Sequence, residues 1–330
     1  MAAGQNLQVK RTDDSHLVLD LSNRGLTSIP EEVFNMPYLE VLDVSNNELT
    51  SIPEAIGRLQ KLYRLDAHGN KLTSLPQTIG SLQKLTHLYI YDNQLTEVPA
   101  EVCSLSNLEV LSIKSNKLST LPPGVEKLQK LRELFIQGNK LTEVPAGVCS
   151  LSNLEVLSVG QNNIQHLPDD VRRLTRLKTL GVTNCKFKEF PSQVLQLKTL
   201  EKLYADDCKF NTVPDEWGEL QNLWLLSLED NLLRTLPSTM SRLHNLREVY
   251  LRNNRFNTFP DVLCELPAME KLDMRRNRIT RLPTALHRAD KLRPGGLGVS
   301  ENPLKYPPQD VCEQGTGAIM DFLKVEAEKG

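Results

Sequence analysis

Apolar residues along this chain fall into one pattern that returns every 23 residues. From Leu39 the string Leu-Glu-Val-Leu-Asp-Val-Ser-Asn-Asn-Glu-Leu-Thr-Ser-Ile-Pro ends at Pro53, and Leu62 to Pro76 repeats it one step on. Counted from the first leucine, apolar side chains occupy positions 1, 4, 6, 11, 14, 18 and 21. Positions 4 and 6 alternate with polar neighbours, as in a short strand with one face inward. Proline at position 15 suits the first turn of a short helix, where its missing N–H does no harm. Positions 18 and 21 then turn one apolar stripe of that helix toward the same interior.

The step holds without a gap from Pro30 to Pro283, and Pro308 continues it after a two-residue insertion near Pro294-Gly295-Gly296. About thirteen coils result, over residues 17–314. Leu95 to Ser112 and Leu141 to Ser158 differ only at Glu101 and Gly147, so part of the array is copied as a pair of coils. A single coil cannot bury its own apolar face, whereas stacked coils can. The expected fold is an α/β solenoid, a curved horseshoe with a parallel β-sheet on the concave face and short helices or turns on the convex face.

Position 9 holds Asn47, Asn70, Asn93, Asn116, Asn139, Asn162, Asn231, Asn254, Asn277 and Asn302. Placed in the bend after the strand, an amide there can satisfy backbone groups of its own and the adjacent coil, which would otherwise be costly to bury. Arg24, Cys185 and Cys208 take the place in three other coils.

Together these residues resemble the leucine-rich repeats of the 23-residue, LP-containing intracellular type. Similar arrays occur in Scribble- and Erbin-like scaffolds, in Ras-linked repeat proteins, and ahead of Roco GTPase or death domains. The tail, Asn302-Pro-Leu-Lys-Tyr-Pro-Pro308 with Val311-Cys312, Gly315, Ile319 and Phe322-Leu323, resembles the C-terminal cap of the Roco and death-domain arrays. The resemblance implies a scaffold or sensor role in signalling. Two other readings stay open: an extracellular or innate-immune pattern-recognition receptor ectodomain, and a regulatory domain of a larger enzyme such as a Roco GTPase.

Exposed solenoid ends need covers. Residues 1–16 are expected to form an N-terminal cap, with Leu7-Gln-Val9 and Leu17-Val-Leu19 as a small hairpin. Residues 315–330 are expected to form a capping helix, because Ala318, Ile319, Phe322 and Leu323 lie at helical spacing.

Composition narrows the function further. Lys plus Arg number 39 and Asp plus Glu 41, a net charge of -2, so a diffuse attraction to nucleic acid or an anionic membrane is not expected. No run reaches the 18 apolar residues of a membrane span. Met1 to Ser15 lacks the apolar core of a signal peptide. The six cysteines form no CxxC, and no asparagine lies in an Asn-x-Ser/Thr sequon. A cytoplasmic chain with reduced thiols is the expectation, with a monomer favoured and no metal or cofactor.

Catalytic chemistry finds little support. His68 and His87 share the outward strand face and with Tyr91 or Asp66 have metal-ligand chemistry, but solvated surface histidines are the simpler reading. Asp20, Asp43 and Asp66 stack as an acidic column at position 5, where carboxylates can raise one another's pKa or hold a cation, but a plain polar wall is the simpler reading. Gly295-Gly296-Leu297-Gly298 lacks the lysine and the setting of a phosphate loop, and reads as a bulged turn. Cys185 and Cys208 read as buried thiols replacing two asparagines rather than as a disulfide.

The residues that the fold does not require lie at outward positions 3, 5, 7 and 8. Rings at His87, Tyr89, Tyr91 and Phe135 stand where small or polar residues are expected, and Tyr204 and Tyr250 continue column 5. Exposed rings are enriched where partners bind. Asp206, Asp207, Glu229 and Asp230 form an acidic zone; Arg252, Arg255, Arg275, Arg276 and Arg278 form a basic one. His87, Tyr89, Tyr91, Phe135, Tyr204, Asp206, Glu229, Tyr250, Arg252 and Arg275 are therefore the candidate contacts for a protein ligand on the concave face, in a module that is not an enzyme.

Overall fold

The computed structural model describes residues 7–329, and the chain divides into two compact units, Met1–Asn163 and Ile164–Gly330. The first unit holds β1 (Val9–Arg11), β2 (Leu17–Asp20), β3 (Val41–Asp43), β4 (Arg64–Asp66), β5 (His87–Tyr89), β6 (Val110–Ser112), β7 (Glu133–Phe135) and β8 (Val156–Ser158). From β2 onward each strand pairs in parallel with the next, one period apart: Val41 faces Arg64, Arg64 faces His87, His87 faces Val110. The second unit holds β9 (Thr179–Gly181), β10 (Lys202–Tyr204), β11 (Leu225–Ser227), β12 (Glu248–Tyr250), β13 (Lys271–Asp273) and β14 (Leu297–Gly298), paired in the same way. Within each unit the fold is the expected α/β solenoid, and residues of one repeat position stand side by side in columns.

The strands are short because the chain turns at a fixed place. Position 8 takes a left-handed conformation in coil after coil, at Asn23, Asn46, Gly69, Asp92, Asn184, Asp207, Asp230, Asn253 and Arg276 among others. Asparagine, aspartate and glycine tolerate that region best, which explains their frequency there. Position 8 is thus a turn, not part of the strand face. Asp207, Asp230 and Arg276, read from sequence as wall residues, stand at its margin.

After each of β2 to β13 the coil closes with a 3-10 helix, such as Glu54–Arg58 or Gln77–Ser81. Its bonds run three residues back: Ile56 N–H donates to Pro53 C=O, and Leu59 N–H to Ile56 C=O. The repeated proline lies one residue before the helix, not in its first turn as the pattern suggests. There it supplies the first carbonyl acceptor, and its fixed φ suits the extended arrival of the chain. The interior is the inward set of positions: Leu62, Leu65, Ala67, Leu72, Leu75, Ile79 and Leu82 of one coil are all buried. Trp217 takes position 18 in its coil and is fully buried against Phe190, with an indole N–H that has no partner among the described residues.

Position 9 binds coil to coil. Asn139 donates from its amide nitrogen to Ile113 C=O in the preceding coil at 3.1 Å and to Ile136 C=O at 3.0 Å, while its oxygen accepts Leu118 N–H at 3.0 Å. Asn47 serves the first coil likewise, its oxygen accepting from Arg24 N–H and Leu26 N–H. Cys208 is a partial substitute. Its thiol donates to Val182 C=O and Asp206 C=O, both at 3.3 Å, and burial pushes its pKa up to about 11. Cys185 is buried as well.

Both array ends carry added elements. β1 pairs antiparallel with β2, Val9 opposite Leu19, so the hairpin strand begins two residues later than the apolar Leu7 suggests. At the other end α1 (Gln309–Glu313) precedes α2 (Thr316–Glu328), which buries Ile319 and Leu323 and sets Phe322 against Tyr306. Gly295 turns the two-residue insertion with φ +71°, and a side chain at Gly296 would meet the Glu270 carbonyl at 2.6 Å. The bulged turn requires glycine there.

Asn139→Ala is expected to destabilise the protein by roughly 1–3 kcal/mol, because buried backbone groups lose their partner. Lys140→Ala, exposed one residue on, is expected to stay within about 0.5 kcal/mol. Chemical denaturation of the two variants against wild type measures the difference.

Candidate functional site

The strand face of the first unit carries a packed ring cluster. His68 stacks on Tyr91 with centroids 4.3 Å apart, Tyr91 meets Tyr89 edge-on at 6.5 Å, and Tyr89 lies 6.2 Å from His87. The Arg64 guanidinium sits 4.9 Å from the Tyr89 centroid and Lys114 Nζ 4.5 Å from that of Tyr91. The rings are half-buried, not offered freely to solvent as the sequence suggests. Burial raises both tyrosine pKa values and lowers that of His87, which Arg64 lowers further. Phe135 stands in the same column as Tyr89, two strands away, with Ser112 between them.

His68 is not the solvated histidine expected. Its Nδ1 lies 2.5 Å from Asp66 Oδ1, and its Nε2 is 3.3 Å from the Asn46 amide. With the proton on Nδ1, the ring donates to Asp66 and accepts from Asn46. Nor is Asp20, at the head of the acidic column, raised. The Ser22 hydroxyl and backbone N–H donate to Asp20 and hold its pKa below the ordinary value. No cluster of three or more metal-ligating side chains occurs among the described residues.

In the second unit the strand face alternates rings and charges. Column 5 runs Tyr204, Ser227, Tyr250, Asp273, and the coils place Asp206, Glu229, Arg252 and Arg275 beside it at position 7. Asp206 accepts the Ser227 hydroxyl at 2.5 Å and Glu229 N–H at 2.8 Å, yet burial dominates and raises its pKa. Glu229 is raised too, by burial and then by the charges of Asp206, Asp273 and Asp230.

Part of the basic zone is already engaged. Arg275 pairs with Asp273 through Nε and a terminal nitrogen, and Arg276 Nε reaches Glu301 at 2.8 Å. Burial alone would raise Asp273, but the Arg275 hydrogen bonds and charge outweigh it and lower the pKa. Lys271 Nζ lies 4.9 Å from the Tyr250 centroid, and the Tyr250 hydroxyl donates to Glu248 at 2.7 Å. Sequence reasoning missed Asp273 and also Trp224. The indole lies at position 2 under Lys202 Nζ, in a groove of about 360 Å³ shared with Arg247, Glu270 and Arg293. A tryptophan at a usually polar repeat position was the available signal.

A leucine-rich repeat region model matches residues 15–94 and 77–162, and a leucine rich repeat model matches residues 198–256. The chain is a leucine-rich-repeat protein. Its fold is similar to a leucine-rich-repeat protein of Leptospira interrogans, at 28% identity and TM-score 0.73, covering 90% of this chain and 93% of that one. It is also similar to the plant peptide hormone receptor RGFR1 solved with RGF2, at 25% identity and TM-score 0.62, over 91% of this chain and 53% of the receptor. A PEPR1–AtPEP1 structure matches at 25% identity and TM-score 0.67, over 90% of this chain and 47% of that one. The array thus spans about half the length of these last two proteins. No curated protein matches it.

Leucine-rich-repeat arrays generally mediate protein–protein interaction, and no helix among the described residues is long and apolar enough to cross a membrane. Burial pushes the thiol of Cys103 up to about 11 and that of Cys264 up to about 12, so both stay protonated at neutral pH and are weak nucleophiles.

The raised carboxylates give a pH signature. A folded carboxyl with a raised pKa binds its proton more tightly than the unfolded chain does. Stability therefore falls as pH climbs from the ordinary glutamate value of about 4.3 through the folded one. Glu229→Gln removes this term. The melting temperature of the variant minus that of wild type is expected to grow between about pH 4 and neutrality, then to level off. Thermal melts at matched ionic strength across that range read it directly.

Proposed function

We propose that this leucine-rich-repeat protein is a non-catalytic recognition module that binds a protein ligand with its strand-bearing face. The observation carrying the reading is the ring cluster of His87, Tyr89 and Tyr91, held at outward positions where stacking of coils asks for no aromatic residue. Half-buried rings fixed by stacking and by neighbouring cations lose little freedom when a partner covers them. Phe135 adds a ring at position 5 of the first unit; in the second unit Tyr204 and Tyr250 hold position 5 and Asp206, Glu229, Arg252 and Arg275 hold position 7. Two of the similar structures contain a second molecule, RGF2 and AtPEP1, which favours recognition over a purely architectural role.

The setting we propose is intracellular signalling, as a scaffold or as the sensing part of a larger protein like those with Roco or death domains. Cysteines without CxxC spacing and the absence of glycosylation sequons support a cytoplasmic compartment. A receptor ectodomain is the second reading, favoured by the likeness to the plant hormone receptor.

The test begins with affinity purification from the native cell and mass spectrometry to obtain the partner. Tyr89→Ala/Tyr91→Ala is then expected to weaken binding by about 30-fold or more, as loss of aromatic anchors does. Arg252→Ala/Arg275→Ala is expected to act mainly on association rate and salt dependence. Lys127→Ala/Lys130→Ala, on the helix-bearing side, is expected to change nothing. A partner that ignores both strand-face pairs and responds only to the lysine pair contradicts the proposal.

A further inference from the structure

In β6 and β11 all three residues are buried, although the first and third of each face outward. The cause lies in their neighbours. Ser227 pairs in register with Tyr204 on one side and Tyr250 on the other. Two strand spacings, about 10 Å, separate the rings' Cα atoms, so the rings bracket a slot above Ser227. Leu225 and Ser227, 7% and 6% exposed, form the floor of this slot. Lys271, from the strand beyond, lies over the Tyr250 ring with Nζ 4.9 Å from its centroid.

Carboxylates surround the slot. Asp206 and Glu229 lie at one end and Glu248 at the other, bonded to the Tyr250 hydroxyl. Burial raises the Tyr204 pKa, and Glu248 and Asp206 raise it further, so its phenol lies within both fields. Among the described residues the Glu229 carboxylate makes no hydrogen bond or ion pair. The nearby cations are mostly spent elsewhere: Arg275 on Asp273, Arg276 on Glu301, Lys209 on Asp207. Arg252 opposes Glu229 from the next coil, Arg275 also lies within the field of Glu229, and Lys271 within that of Glu248.

The first unit contains a slot of the same plan with a different charge. Tyr89 and Phe135 flank Ser112, over a floor of Val110 and Ser112 that is 9% and 4% exposed. Position 7 there is Lys114, where the second unit has Glu229. Shape is shared; charge is not.

We propose that the strand face of the second unit takes a basic segment of a partner protein, with one lysine or arginine side chain lying over Ser227 between the rings of Tyr204 and Tyr250 and its charge against Glu229. Aromatic faces attract cations and stack well on guanidinium planes, and an unpaired carboxylate at the slot's end supplies the ion partner. The inference rests on reading the strand-bearing face as the binding face, and adds the chemistry of the ligand.

The experiment selects a phage-displayed library of random 12-residue peptides on the full chain. Enriched peptides are expected to carry lysine or arginine and to bind more weakly as salt rises. Glu229→Lys and, separately, Tyr204→Ala/Tyr250→Ala are expected to lower their affinity by about tenfold or more, with Glu229→Gln between. Asp206 is left intact because it holds Ser227 and the Glu229 backbone, and melting curves confirm that each variant folds. Peptides without basic residues, peptides indifferent to these variants, or no enrichment at all overturn the inference. If affinity instead falls only with Tyr89→Ala/Tyr91→Ala, the strand face remains the binding face and the basic-segment inference fails. If only Lys127→Ala/Lys130→Ala matters, both fail.

Discussion

The position-9 asparagine is the interaction on which the array depends. A chain that bends after every three-residue strand leaves carbonyls and N–H groups turned into its own interior, where water cannot reach them. One amide answers them: Asn93 donates to Ala67 C=O in the preceding coil and to Ile90 C=O in its own, and its oxygen accepts Leu72 N–H. Because the donor side reaches back one coil, each asparagine also fixes the register between neighbours. That is why the strands pair without slip in each unit and why equal repeat positions stand in columns.

Columns turn single residues into surfaces. A tyrosine at position 5 matters less alone than beside a serine and another ring, as in Tyr204, Ser227 and Tyr250. Position 7 behaves likewise. Arg275 looks like an available cation until Asp273, two residues earlier in the same coil, is seen to hold it. The strand face is therefore a mosaic in which many charges are already answered, and Glu229 is among those left unanswered.

The fold was legible because its period is strict. Apolar spacing, the position-9 amide and the recurring proline all point to one coil. The helix type and the proline's place were not, because one short turn can satisfy the same apolar stripe with 3-10 or α geometry. The left-handed position 8 was readable in principle from its Asn, Asp and Gly, but Arg276 and Gln161 stand there too. The ring positions of the site were legible as departures from the repeat. Their burial was not, since it comes from pairing across coils: His68 with Tyr91, Lys114 with Tyr91. Asp273 escaped notice because an aspartate at position 5 fits the expected polar face, and only geometry shows that it cancels Arg275.

Residue-resolved hydrogen exchange of the free protein tests the ladder most directly. Leu49, Leu72, Leu95 and Leu118 lie in no strand and no helix, and their N–H groups are accepted by the asparagine one coil on. These amides are expected to exchange as slowly as those of the adjacent strands, because both open only when coils part. Exchange at the rate of exposed turns would contradict the claim that the position-9 amide holds the array together.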